Sequence, residues 1–347
     1  MSLSKRFETA LLIFCTSFFF PLISVSCVEK KIAPHTETVL GTICTIQAYE
    51  DGSEKLYEEL FETLFRIESL FSVNVPTSDI SRVNEAAGEK SVAVDEEVAA
   101  VVEKALFYAR KSGGAFDPAI GPLVKLWGID TDSAKVPTQE EIDGILPLVD
   151  YSEVTVDRSG GVPEIFLHKH GMALDLGGIA KGYAADCIRA ELEKNKVKRA
   201  VVDLGGNVYV YGRKKDGSDW KVGIKNPFAP EDGPALILSL ETSSSVVTSG
   251  VYERFFEKNG KTYHHILDTS TGYPAEKGSV SVTIISESSL AADALSTTAF
   301  ILGPEKFFET FFEPAIFFSE TGSVIASSSL KGRLSVAEGL PVTIEYR

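Results

Sequence analysis

An α+β fold is the expectation for this chain of 347 residues, and three observations carry it. Strand-like runs crowd together between Ala200 and Ile285 with no helix after each one, which argues against a doubly wound sheet. Helical stripes stand apart from those runs. No period of roughly 20–50 residues repeats and no low-complexity linker divides the mature chain, so one compact unit with two lobes is expected.

Residues 1–26 read as a signal peptide. Lys5 and Arg6 form a short basic start, and Leu11 to Ile23 an apolar stretch heavy in phenylalanine. That stretch is too short and wrongly flanked for a comfortable membrane span. The run Ser24-Val-Ser-Cys27 points to a bacterial lipoprotein signal, with Cys27 the lipidated first residue of the mature chain. The match is imperfect, since Ser24 stands where leucine is usual and Ser26 where glycine or alanine is more common. An ordinary secreted protein and an uncleaved anchor are the competing readings. Residues 27–36, which contain a proline, then form a lipidated tether, and 37–347 the folded domain.

Val39 to Tyr49 reads as the first strand. Ser53 can cap a helix whose stripe is Leu56, Leu60, Leu64 and Ile67, ending near Leu70. Phe71 to Asn84 reads as a polar loop with Pro76. A second helix runs from Glu96 to Lys111 and stops at Gly113-Gly114, and Thr138 caps a third to Leu146. Strands near Glu153–Val156 and Glu164–Leu167 flank a Gly160-Gly161 turn. After a helix from Ile179 to Asn195, strands are expected at 200–203, 207–211, 220–224, 235–240, 245–248, 263–267 and 279–285. The helix 290–302, a short one after Pro304, and strands at 315–318, 324–326 and 343–346 complete the chain.

The formal charge of −15 excludes a general nucleic-acid binder, which needs a basic face, and argues against broad adhesion to anionic lipid. Any phosphate site must be a local basic patch. With Cys15 in the signal and Cys27 taken by lipid, Cys44 and Cys187 remain. They form no CxxC or Cys/His cluster, which removes zinc and iron–sulfur readings; a disulfide between them is left open.

Two segments carry chemistry. Ala173-Leu-Asp-Leu-Gly-Gly-Ile-Ala-Lys-Gly-Tyr-Ala-Ala-Asp186 runs from a buried strand through Gly177 and Gly178 to Lys181 at the mouth of a helix. Bare backbone, free helix N–H groups and one full charge suit a phosphate, although glycines that serve only packing would look the same. It is neither a Walker loop nor a dinucleotide fingerprint. In Ala291-Ala-Asp-Ala-Leu-Ser-Thr-Thr-Ala299, Asp293 and Thr297 lie four apart and share a helix face. A carboxylate beside a hydroxyl suits Mg²⁺; a capping acid and a threonine bonded to the preceding turn is the plainer alternative.

Together these segments resemble the ApbE family of flavin transferases, FAD:protein FMN transferases. The resemblance continues through Ser78-Asp-Ile-Ser-Arg-Val-Asn84, Gly114-Ala-Phe-Asp-Pro118, Gly121-Pro-Leu-Val-Lys-Leu-Trp-Gly128, Asp203-Leu-Gly-Gly-Asn207, Thr248-Ser-Gly250 and His265-Ile-Leu-Asp-Thr-Ser-Thr-Gly272. It implies an enzyme that binds FAD and Mg²⁺, moves the FMN half onto a threonine or serine hydroxyl of another protein as a phosphoester, and releases AMP. It implies a metal site of Asp293, Thr297 and the carbonyl of Ala180, and His265 as general base, with His264 on the opposite side of a strand. The FAD site would include Asn74, Asp117, Gly177, Gly178, Lys181, Asp203, Gly205, Gly206, Lys225, Ser249, Gly250 and His265. With the lipoprotein signal, it places the protein on the periplasmic side of the inner membrane, facing a periplasmic or membrane-associated acceptor.

Each of these residues has a plainer reading. The glycine pair at 205–206 can be a tight turn, His265 a strand histidine bonded for structure, and Trp127 is better read as core than as a stacking platform. Thr269 stands where the family usually has proline, which bears on the turn shaped by Asp268 and Thr271. Asn74 stands where the family more often has tyrosine; without a ring over the flavin, the pyrophosphate would be more open to water. Hence an FAD pyrophosphatase giving FMN and AMP is one alternative, and a non-enzymatic FAD-binding lipoprotein another. No Asp-Gly pair here continues as the family's acceptor motif, so self-flavinylation is not indicated.

Overall fold

The computed structural model describes residues 33–347. The expected signal peptide, Cys27 and the first part of the tether lie outside the described residues. The fold begins earlier than the sequence suggests. A hairpin of β1 (His35–Val39) and β2 (Thr42–Ala48) replaces the single expected strand, and His35 and Thr36, assigned to the tether, already pair with Ile46 and Thr45. Leu40 and Gly41, both at positive φ, make the turn, and a leucine in that conformation gives no sequence signal.

Helix α1 (Glu54–Phe71) has the expected cap, since the Ser53 hydroxyl accepts the Leu56 N–H at 3.1 Å. Helix α2 (Asp79–Glu85) stands inside the expected loop, capped by Ser78; only Ile80 and Val83 mark its apolar side, too short a stripe to notice. The short strand β3 (Val92–Ala93), α3 (Glu96–Lys111), α4 (Gly121–Trp127) and α5 (Gln139–Ile145) follow. The capping box of Thr138 and Glu141 starts α5. Strands β4 (Val154–Asp157) and β5 (Glu164–Leu167) pair with β3 in a small sheet.

Helix α6 (Ala180–Lys194) leads into β6 (Ala200–Leu204) and β7 (Asn207–Tyr211). Next come β8 (Trp220–Lys225), β9 (Pro234–Leu240), β10 (Ser244–Gly250), β11 (Phe255–Lys258) and β12 (Lys261–His264). Strand β13 (Ser279–Ser286), α7 (Ser289–Leu302), α8 (Pro304–Thr310), β14 (Ala315–Ser319), β15 (Val324–Ala326), β16 (Leu334–Val336) and β17 (Ile344–Tyr346) close the chain. The sequence gives no sign of α4, β3, β11 or β16.

Nine strands form the main sheet in the order β1-β2-β6-β7-β10-β13-β14-β15-β17, antiparallel except for the last pair. Its two faces bury separate cores. Val247, Ile284 and Phe317 join the core under the helices, whereas their neighbours Val246, Ile285 and Phe318 join the core under β8, β9 and β16. A third cluster gathers on Trp127, whose indole N–H donates to the Gly272 carbonyl at 2.7 Å; this is core packing, as expected. Among the described residues no helix is long and apolar enough to cross a membrane. Cys44 and Cys187 are both free thiols, and burial pushes their pKa values up to about 12 and about 11, where thiolate chemistry is suppressed.

Candidate active site

The site begins where α6 crosses α7. Neither Gly177 nor Gly178 has positive φ, so their value lies in what they leave out. A Cβ on Gly178 would sit 3.3 Å from the Thr297 hydroxyl oxygen. One turn on, a Cβ on Gly182 would lie 2.7 Å from the Cβ of Asp293 and 2.7 Å from the Cα of Leu290. Gly182 lets the helices touch backbone to backbone, and Gly178, just before α6, leaves room for the Thr297 side chain. The sequence associates Gly177 and Gly178 with an open approach for a ligand; Gly177 is exposed and fits that, but Gly178 also serves the crossing.

Asp293 is buried there, with 4 % exposure. Its Oδ2 accepts the Gly182 N–H at 2.8 Å. Burial pushes its carboxyl pKa up, against the pull of the Lys181 charge and that N–H. Lys181 lies at the first turn of α6, its Nζ 3.3 Å from the Gly177 carbonyl. The Thr297 hydroxyl, one turn from Asp293, has no hydrogen-bond partner among the described residues, and Ala180 opens α6 beside them. No group of three or more His, Cys, Asp or Glu side chains that could hold a metal exists among the described residues. The donors here are instead one carboxylate, one hydroxyl and a carbonyl, all hard oxygens. No cationic side chain forms an ion pair with Asp293 among the described residues, and a dication bound to it would offset the burial of its charge. The residues therefore fit Mg²⁺ completed by phosphate oxygens and water.

Gly182→Ala tests the crossing. Alanine adds about 1 kcal/mol of helix propensity. The new methyl must push α7 away, and overpacking of this kind costs about 1–3 kcal/mol. Denaturant unfolding should therefore show a net loss of stability. A variant as stable as its parent would mean that the two helices separate freely.

His265 follows β12 directly. Its backbone N–H and its ring Nδ1 both lie 3.1 Å from the Arg254 carbonyl. A carbonyl only accepts, so Nδ1 carries the proton and Nε2 remains the acceptor. The residue is half-buried, and the protein packed around it, with the Arg254 charge second, pushes its pKa down to about 3. The Lys181 charge acts in the same direction, which places it near both His265 and Asp293. His264 is committed elsewhere: Nε2 meets the Ala275 carbonyl at 3.2 Å, Nδ1 accepts the Ile266 N–H at 3.3 Å, and the ring packs edge-on to Phe300.

A cavity of about 380 Å³ opens beside the β6–β7 turn, lined by Asp203, Gly205, Gly206, Lys225, Thr248, Tyr252 and Glu253 among others. Its size falls near the low end for small-molecule sites, about 300–1,000 Å³. Gly205 and Gly206 have φ of +65° and +88°, and Asp203 accepts the Gly206 N–H at 2.9 Å, so this is a tight turn. A Cβ on Gly206 would meet nothing within 4 Å, so the turn also presents bare backbone to the cavity. Lys181, His265 and Asp293 do not line it, but Glu253 on its wall precedes Arg254, the anchor of His265.

Three expected residues stand apart. The Ser249 hydroxyl pairs with Ser296 of α7 at 2.8 Å, on the face of β10 away from the cavity. Asp117 spends both oxygens on backbone, accepting Ala119 N–H at 2.8 Å and Tyr151 N–H at 3.0 Å, while burial raises its pKa to about 6. Asn74 is exposed, three residues beyond Phe71, whose ring packs on Tyr183 of α6.

The ApbE family model matches residues 40–314. The chain belongs to the ApbE family. It is 42% identical over 286 residues to the FAD:protein FMN transferase of Treponema pallidum (strain Nichols), covering 78% of each chain. It is 38% identical over 312 residues to that of Klebsiella pneumoniae (strain 342), covering 88% of this chain and 95% of the relative. The crystal structure of the ApbE protein of Thermotoga maritima superposes with a TM-score of 0.79 at 33% identity, over 87% of this chain and 98% of that one. The apo flavinyl transferase ApbE of Pseudomonas stutzeri gives 0.75 at 28% identity, over 87% and 96%.

Beyond the motifs, this ApbE chain adds residues that sequence reading passed over. Tyr252 lies under the Lys225 ammonium, 5.2 Å from ring centre to Nζ, and against Gly250. It stands just two residues past the Thr248-Ser-Gly250 motif. Asn207 accepts the Ser289 hydroxyl at 2.7 Å and ties the cavity turn to α7. Its place at the end of Asp203-Leu-Gly-Gly-Asn207 was the available signal.

Proposed function

We propose that this chain is an Mg²⁺-dependent FAD:protein FMN transferase that moves FMN onto a threonine or serine hydroxyl of an acceptor protein. The observation that carries the reading is the α6–α7 crossing, where Lys181, the Gly177–Gly178 backbone, Asp293 and Thr297 meet. The Lys181 ammonium and backbone N–H would hold the pyrophosphate. The free helix N–H groups expected from the sequence reduce to that one, because the Ala180 N–H donates to the Leu176 carbonyl at 2.9 Å and the Gly182 N–H to Asp293. Asp293, Thr297 and the Ala180 carbonyl would hold Mg²⁺, which stabilises charge on the leaving phosphate. His265 Nε2 takes the hydroxyl proton as that oxygen bonds to the FMN phosphorus. The bond from that phosphorus to the bridging oxygen breaks, and AMP leaves with the electron pair. A lipid anchor at Cys27 would hold the enzyme at the periplasmic side of the inner membrane, within reach of its acceptor.

Incubation with FAD and Mg²⁺, with and without a flavinylation-competent acceptor domain, tests this. AMP released only with acceptor is the expected result. AMP without acceptor would mean a pyrophosphatase, and no AMP a flavin-binding lipoprotein.

A second reading is the hydrolase: Asn74 is exposed and carries no ring, so a flavin bound beside that turn would have its pyrophosphate more open to water. Asn74→Tyr should tighten FAD several-fold, since aromatic stacking contributes about 0.5–1.5 kcal/mol. It should also lower any acceptor-free AMP release. Fluorescence quenching and AMP assays that match the parent would place residue 74 away from the flavin.

A further inference from the structure

Helices α6 and α7 run antiparallel, and their contacts recur turn by turn. Gly178 meets Thr297, and Gly182 meets Asp293. One turn further along α6, Asp186 meets the start of α7. Its Oδ1 accepts the Ser289 N–H at 2.9 Å, and its Oδ2 accepts the Ser288 hydroxyl at 2.9 Å and the Leu290 N–H at 3.1 Å. Gly182 and Asp186, four apart on α6, face Asp293 and Ser289, four apart on α7, so each pair lies on one side of its helix, and Gly178 meets Thr297 just before α6 begins.

The first N–H groups of a helix have no partner within it, and the start of a helix is its positive end. A carboxylate from the neighbouring helix satisfies two of those donors in α7 and places a negative charge there. The same Ser289 donates its hydroxyl to Asn207 at 2.7 Å and accepts that of Ser245 at 2.8 Å, which joins this end of α7 to the cavity turn.

We propose that Asp186 is a positioning residue: it fixes the register of α7 on α6, and so places Asp293 and Thr297 against the Gly177–Lys181 turn. The proposal rests on reading Asp293 and Thr297 as the metal-facing pair, and its test separates the two ideas. Asp186 itself touches no reacting atom.

Asp186→Ala removes all three acceptors, and Asp186→Asn keeps one oxygen should the alanine variant fail to fold. Amide hydrogen exchange in the full chain without metal gives the first readout. A register role predicts that exchange accelerates at Ser289 and Leu290 and also, about tenfold, at Gly182, whose N–H is held by Asp293 one turn away. A local cap would loosen Ser289 and Leu290 alone, and that result overturns the proposal. The second readout is Mn²⁺ affinity by electron paramagnetic resonance, expected to weaken about tenfold in Asp186→Ala and less in Asp186→Asn. Faster Gly182 exchange in the Asp186 variants, together with a parent that binds no Mn²⁺, would retain the register role and reject the metal assignment. Absence of AMP release by the parent from FAD and Mg²⁺ in the presence of a flavinylation-competent acceptor would reject the proposed function alone.

Discussion

Asp293→Ala should reduce AMP release from FAD in the presence of acceptor at least ~100-fold while the protein keeps its fold. Losing only an outer-shell partner of a metal ligand already costs about 10–100-fold, so losing the ligand should cost at least the upper value. Stability should move differently. The native carboxylate is buried, and its charged form is disfavoured without a counter-ion. Its removal relieves that desolvation cost in the metal-free protein but leaves the buried Gly182 N–H without its acceptor, which costs about 1–3 kcal/mol, so the melting temperature in EDTA should stay close to that of the parent. In the parent, excess EDTA should abolish AMP release and Mg²⁺ restore it. Full turnover in excess EDTA would sink the metal assignment.

His265→Ala should lower transfer by about 10²–10⁴, the usual contribution of a positioned base, while FAD affinity stays near that of the parent. The pH profile carries a sharper signature. With its pKa pushed down to about 3, Nε2 is already free of its proton throughout the neutral range. Rate should therefore show no rise through pH 6–7, where an ordinary histidine titrates, and any loss from His265 protonation should begin only near pH 4 and below. A rate inflection near pH 6.5 that disappears in His265→Ala would show that the ring is solvated during turnover. Unchanged transfer in the variant would move the base elsewhere.

Sequence gave up the long elements readily. Helices α1 and α3 carry stripes of four or more buried apolar residues and explicit caps, so local pattern and tertiary packing agree. Helix α4 has only seven residues, and what holds it is the burial of Trp127 among rings from distant segments. The orientation of Ser249 was equally hidden. In Ser244-Ser-Val-Val-Thr-Ser249 no polar–apolar alternation marks a face, and only pairing with Ser296 decides it. Asp293 and Thr297 were legible because four-residue spacing is a local fact. That Gly182 touches Asp293, and that Asp186 holds the start of α7, belong to tertiary structure alone.

The nine strands of the main sheet stand side by side in the order in which they are synthesised. Each can therefore add to an edge already in place, and nothing need be threaded between strands laid down earlier. The sheet itself contributes Asp203 and Thr248 to the cavity wall, but the residues proposed to hold phosphate and metal and to move the proton hang outside that succession. Helix α6 precedes β6, the cavity strand β8 lies between β7 and β10, His265 between β10 and β13, and α7 between β13 and β14. Natural variation can lengthen, shorten or resculpt any one of these excursions while the scaffold closes as before. In such an architecture, acceptor choice and flavin affinity are free to diverge among relatives much faster than the sheet that carries them.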